Sequence, residues 1–135
     1  MRLSGWFLLM FISLQAAAVD VVVNRGVAGT SLAQASARAF FGLRLTKWPD
    51  GRPVRVFVLP DGHPTHAALC KEQLNLYPYQ LRQAWDRLVY SGLAQAPIEV
   101  ATEEEMISRV ATTPGALGYV RKVKQNDPVK ILYVE

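Results

Sequence analysis

An aspartate and two histidines stand together in Leu59-Pro60-Asp61-Gly62-His63-Pro64-Thr65-His66, and Cys70 follows four residues later. Such side chains can move protons, help neighbouring donors hold an anion, or ligate a soft metal ion. If a helix begins at Pro64, His66 and Cys70 share a face at i, i+4, and His63 at its cap could join them around copper or zinc. The spacing fits no compact metal motif, however. The plainer account is a capping His63, a surface His66 and a small buried thiol at Cys70. Cys70 with His66 would also pair a nucleophile with a base, but no orienting third residue or oxyanion feature can be named beside them. No metal, cofactor or enzymatic activity is expected. Glu103-Glu104-Glu105 could pass for catalytic carboxylates, yet Thr102 ahead of them makes a capping box, with acids placed where a helix dipole favours them. Trp48, in a turn, and Trp85, on a helical stripe, read as packing rather than as platforms for a ligand.

The elements on either side decide how the segment is held. A β-branched run, Val54-Arg55-Val56-Phe57-Val58, leads into it, and a helical pattern follows from about Ala67. It is therefore a strand-to-helix corner, the place where open α/β sheets usually bind ligands. Val19-Asp20-Val21-Val22-Val23 reads as a buried first strand. Thr30 and Ser31 after it could line the same edge, or cap a helix whose apolar positions are Leu32, Ala35, Ala39, Phe40 and Leu43. Leu69, Cys70, Leu74 and Tyr77 form one helical stripe. Pro78 opens a helix carrying Leu81, Ala84, Trp85, Leu88 and Val89 at core-facing spacing, and Ser91-Gly92 ends it. A short strand at Ile98-Glu99-Val100 precedes the Thr102 helix, whose apolar face is Met106, Ile107, Val110 and Ala111. Pro114-Gly115 stops that helix before Ala116-Leu117-Gly118-Tyr119-Val120, and a last strand covers Val129 to Val134. Strands alternate with helices, which predicts an α/β fold, a three-layer α/β/α domain with a mixed, mostly parallel sheet.

A chain of 135 residues supports one domain with a real core. Residues 1–18 read as a signal peptide: Met1-Arg2 is positive, Trp6 to Leu14 is mostly apolar, and Ala16-Ala17-Ala18 offers a cleavage site. The apolar stretch is shorter than the roughly 20 residues that span a bilayer. The expectation is a mature domain over 19–135, located in the periplasm, with no membrane span. Cys70 is the one cysteine, so no internal disulfide can form. The net charge of +4 is mild and its basic residues are scattered, apart from Arg121-Lys122-Val123-Lys124. Nucleic acid is not an expected partner.

Four landmarks come in a familiar order: the first strand, the Phe41…Thr46-Lys47-Trp48-Pro49-Asp50-Gly51 segment, the Leu59–Thr65 corner, and Pro114-Gly115-Ala116-Leu117-Gly118-Tyr119-Val120. Together they resemble the phosphate-binding proteins of ABC transporters, in the type 2 periplasmic binding protein superfamily. The resemblance covers nearly the whole mature chain but mainly one lobe of a two-lobed family. It implies a solute-binding domain whose ligand is phosphate or a similar oxyanion. Relatives carry R-x-D-G-S-G-T at the corner; here Asp61, Gly62 and Thr65 match, whereas Leu59 replaces the Arg, His63 the Ser and Pro64 the second Gly. Leu59 removes a guanidinium that could grip an anion with two bonds. Pro64 removes a backbone donor while suiting the first helical position.

Two functions from different classes remain open at this point. One is weak binding of phosphate or a similar oxyanion, with Thr30, Ser31, Asp61, Gly62, His63 and Thr65 as ligand residues. The other is an envelope interaction or sensing module that has lost phosphate binding. A single lobe leaves one side of a cleft open, so burying a ligand would need self-association or a partner protein.

Overall fold

The computed structural model describes residues 19–135, and the leader expected over 1–18 lies outside the described residues. The chain begins with β1 (Asp20–Val23), β2 (Ser31–Leu32), α1 (Gln34–Phe41) and β3 (Arg55–Val58). It continues through α2 (Pro64–Ala68), a π-helical segment (Leu69–Leu74), α3 (Pro78–Tyr90), β4 (Ile98–Glu99) and α4 (Glu103–Thr112). It finishes with β5 (Ala116–Val120), β6 (Lys130–Ile131) and β7 (Tyr133–Val134). Every residue of β5 is buried, and this strand sits at the centre of a five-stranded sheet ordered β4-β3-β5-β1-β6. β3 runs parallel to β4 and β5, while β1 runs antiparallel to β5 and β6. Only β1 therefore opposes the other strands, and the sheet is mixed and mostly parallel. Among the described residues no helix is long and apolar enough to cross a membrane.

Side chains alternate across a strand, and in β5 that alternation defines the layers. Gly118 faces α4, where a Cβ would come within 2.6 Å of Met106 Sδ and 2.9 Å of Val110 Cγ2. Tyr119 faces the other side, against the rings of Phe41 in α1 and His66 in α2. Trp85 of α3 closes that side, its Nε1–H donating to the Phe41 carbonyl at 2.7 Å. Helices thus cover both faces. Burying a side chain such as Met106, Leu81 or Phe41 is worth about 1.5–3 kcal/mol each, and all three are almost wholly buried.

Several boundaries depart from the sequence expectation. The helix α1 starts after Leu32, with Ala33 as a cap that makes no side-chain bond. Thr30 and Ser31 do not cap it; Gln34 N–H donates instead to the Glu135 carbonyl. The buried face of α1 is Ala37, Phe40 and Phe41 rather than the row beginning at Leu32 and Ala35. The final run is split between two sheets, because successive N–H groups of an extended chain point to opposite edges. Leu132 N–H reaches Val21 on β1, whereas Tyr133 and Glu135 donate to Thr30 and Leu32 on the β2 side.

The third helical stripe is also redirected. Leu69, Cys70 and Leu74 are fully buried, but Tyr77 is 66% exposed. The wider π turn and a left-handed Asn75, φ 53°, rotate the chain between them. Tyr77 becomes the cap of α3, its N–H donating to Gln80 Oε1 at 2.8 Å. The expected boundary at Thr102 holds: its hydroxyl accepts from Glu105 N–H at 3.1 Å.

Two motifs distant in sequence meet at the opposite end of the sheet. Trp48 Nε1–H donates to the Gly115 carbonyl at 3.0 Å in a buried bond, and Phe40 packs on the Trp48 ring at 4.8 Å. Gly115 takes φ 76°, and a Cβ there would strike the Pro53 carbonyl. The Trp48 turn and the Pro114-Gly115 corner are one structural unit.

Candidate functional site

The corner after β3 is built from inward-turned donors. Leu59 is fully buried, and its N–H donates to Tyr119 Oη at 2.8 Å. A tight turn follows, closed by His63 N–H donating to the Pro60 carbonyl at 2.8 Å. Pro64 opens α2, and His63 caps it by accepting from Thr65 N–H on Nδ1 at 3.0 Å. Proline at that position forfeits no intrahelical bond.

Thr65 is 2% exposed, and its hydroxyl donates to Glu103 Oε2 at 2.7 Å. The other Glu103 oxygen accepts from Arg121 N–H at 2.5 Å. Glu103 thus does more than favour the α4 dipole: its carboxylate seals the corner against the end of β5. Asp61 is held by Arg82 through two bonds of 2.9 Å, a fork-on-fork pair. The Arg82 guanidinium lies 4.9 Å over the Trp85 ring. Both ends of the ion pair remain about 40% exposed, at 43% for Arg82 and 39% for Asp61, so it contributes at most about 1 kcal/mol.

His66 is fully buried rather than on the surface. Its Nδ1 lies 2.5 Å from Tyr119 Oη, and its Nε2 faces Cys70 Sγ at 3.7 Å and Asp61 Oδ1 at 3.9 Å. Burial pushes its pKa below the ordinary value, against the opposing pull of Asp61. Burial also raises Cys70 to about 11 and pushes the Tyr119 phenol well up. The hydrogen bonds from Arg82 hold the Asp61 carboxyl below its ordinary value. With its pKa raised by burial, Cys70 is held as the thiol rather than the nucleophilic thiolate. Among the described residues no three His, Cys, Asp or Glu side chains gather in a way that could hold a metal ion.

The structure brings Asp61, Gly62, His63 and Thr65 into this one corner. His63 lines a groove of about 510 Å³ with Glu103, Glu104, Lys122 and Lys124. Thr30 borders a different groove, of about 490 Å³, with Arg25, Lys130 and Tyr133, and Ser31 belongs to β2. Lys124 and Asp127 line both grooves, so the loop that carries them stands between Thr30 and His63. Sequence reasoning missed Arg82, Glu103, Tyr119 and the burial of His66 as parts of the corner. Their partners lie 21 to 60 residues away in the chain. The one local signal was Arg82 three residues before Trp85, a spacing that lets a guanidinium stack on the ring.

Comparison with known proteins agrees with this architecture. No protein-family model matches the chain, and no curated protein matches it in sequence. Solved structures do match its fold. PstS from Borrelia burgdorferi superposes with a TM-score of 0.65 at 12% identity, over 87% of this chain and 47% of that one. An ABC-type phosphate transport receptor from Vibrio cholerae gives 0.66 at 14% identity, over 87% of this chain and 46% of that one. A phosphate-bound structure from Clostridium perfringens gives 0.66 at 16%, over 87% and 44%. The chain spans less than half the length of these structures. Its fold is that of part of a phosphate ABC transporter substrate-binding protein.

Proposed function

We propose that the protein is an exported, single-lobe binding module of the phosphate-receptor type that works by contact with an envelope protein or a second copy of itself, its corner having lost independent capture of phosphate. One observation carries this reading: the Thr65 hydroxyl, 2% exposed, already donates to Glu103. An oxyanion seeking that hydroxyl meets a carboxylate first. The remaining chemistry supports the same reading, since Thr65 N–H is taken by His63, Leu59 N–H by Tyr119, and Pro64 has none. Losing several charge-assisted contacts of ~1.5–3 kcal/mol each abolishes useful affinity for a small anion. Location in the periplasm follows from the leader expected over 1–18 and is part of the proposal.

The second reading, weak binding of phosphate or a similar oxyanion, draws on Lys122 and Lys124, which line the groove beside His63. Calorimetric titration of the mature protein with inorganic phosphate separates the two. The expected result is no saturable heat up to millimolar phosphate. Saturable binding that weakens on Thr65→Ala overturns the first reading in favour of the second.

A further inference from the structure

We propose that His66 is a proton-operated latch on the corner: neutral, it leaves Asp61 to Arg82; protonated, it draws the Asp61 carboxylate towards itself. The device goes beyond the function proposed above and needs no assumption about what docks at the corner. It rests on where three polar groups meet under α2. Leu59 N–H occupies one acceptor site of Tyr119 Oη, at 2.8 Å. In the latch the phenol proton is directed at His66 Nδ1, 2.5 Å away. A ring that accepts on Nδ1 carries its proton on Nε2, the nitrogen that faces Asp61 Oδ1 and Cys70 Sγ.

A second proton must land on Nδ1, so the Tyr119 O–H turns away and its oxygen accepts from the ring instead. The same proton makes the ring cationic at 3.9 Å from Asp61 Oδ1. That oxygen is the one accepting from Arg82 Nη2, whereas Oδ2 accepts from Nε. Attraction to the ring weakens the Nη2 bond first and leaves the Nε bond as a pivot. Gly62 is next in the chain and lies in the tight turn, so the corner backbone moves with the carboxylate. The charged and titratable groups facing His66 are Asp61 in the corner, Cys70 in the π segment, Arg82 on α3, Tyr119 on β5 and His63 at the helix cap. Asp61 favours the second proton, whereas burial, Arg82 and His63 oppose it. The latch therefore works on the acid side of neutrality, while the carboxylate of Asp61 is still ionised.

Nitrogen NMR of the whole mature chain, titrated from about pH 7.5 to about pH 5, tests the latch, with His66→Gln used to assign the ring. The His66 ring is expected to titrate in the folded protein, and the Gly62 amide and Arg82 Nε–H signals to move with the same midpoint. Asp61→Asn, at a partly exposed site that leaves the core intact, lowers the midpoint by about one pH unit, the usual effect of losing a carboxylate at such range. Titration of the ring without Gly62 and Arg82 following overturns the proposal. So does an unchanged midpoint in Asp61→Asn, or a ring that stays neutral until the protein unfolds.

Discussion

Tyr119 and Asp61 show how single side chains tie this corner to the core. The Tyr119 hydroxyl serves both Leu59 N–H and His66 Nδ1 in a buried setting. Tyr119→Phe leaves a donor and an acceptor unsatisfied, each costing about 1–3 kcal/mol, which urea unfolding will register as a lowered midpoint at unchanged slope. The pH dependence of stability follows from two groups with separate windows. His66 is depressed from 6.5 by burial, so the unfolded chain binds its proton more readily. The stability gained by keeping it neutral is present above about pH 6.5 and is lost as pH falls through the folded value. Asp61 is depressed from 3.8 by Arg82; its contribution is present above about pH 3.8 and disappears only in stronger acid. Melting temperature should thus fall in two steps on acidification, and Arg82→Gln should diminish the lower step. A melting curve flat from pH 7 to 5 would contradict the assignment of the upper step to His66.

Elements are held by contacts of a different kind. β5 approaches α4 closely because Gly118 has no side chain where Met106 Sδ and Val110 Cγ2 sit. Gly118→Ala pushes α4 off the sheet and should cost about 1–3 kcal/mol as overpacking, lowering the melting temperature by roughly 3–5 °C per kcal/mol for a domain of this size. Trp48→Phe keeps the ring contact with Phe40 but loses the bond to the Gly115 carbonyl. The Gly115 carbonyl keeps its bond from Arg55 N–H at 3.1 Å, so losing the second one should cost about 0.5–1.5 kcal/mol, measurable by the same unfolding assay, with the corner's NMR signals unchanged. The split of the last strand and the redirected Tyr77 belong to this scale too. Both arise from backbone geometry, alternation of N–H groups and a π turn, that a hydrophobic pattern does not encode.

At the scale of the molecule, the decisive fact is that the chain covers less than half of each of the three solved structures described above. Leu59, Thr65 and His66 of the corner are buried, and the groove beside His63 is lined by Glu103, Glu104, Lys122 and Lys124. If a second copy completes the cleft, sedimentation equilibrium of the mature protein will show a dimer at micromolar concentration. A monomer at all concentrations would rule out a cleft completed by a second copy.

Most elements were legible in the order of residues, though not the Ser31–Leu32 strand or the π turn, as were the buried strand Ala116–Val120, the Pro64 and Thr102 helix starts and the resemblance to phosphate-binding proteins. Those features are local: periodicity, capping and glycine placement act over a few residues. The sequence also placed Asp61, Gly62, His63 and Thr65 at one corner, because they are neighbours in the chain. It took the folded chain to show that Thr65 is spent on Glu103, Asp61 on Arg82 and Tyr119 on His66, and that Thr30 lies beyond an intervening loop. Those pairings join residues 21 to 53 positions apart, and in the chosen cases the partner types were common charged or aromatic residues with no distinctive spacing. Whether a hydroxyl is free for a ligand depends on which acceptor the fold brings within 3 Å, and that is a property of packing rather than of the order of residues.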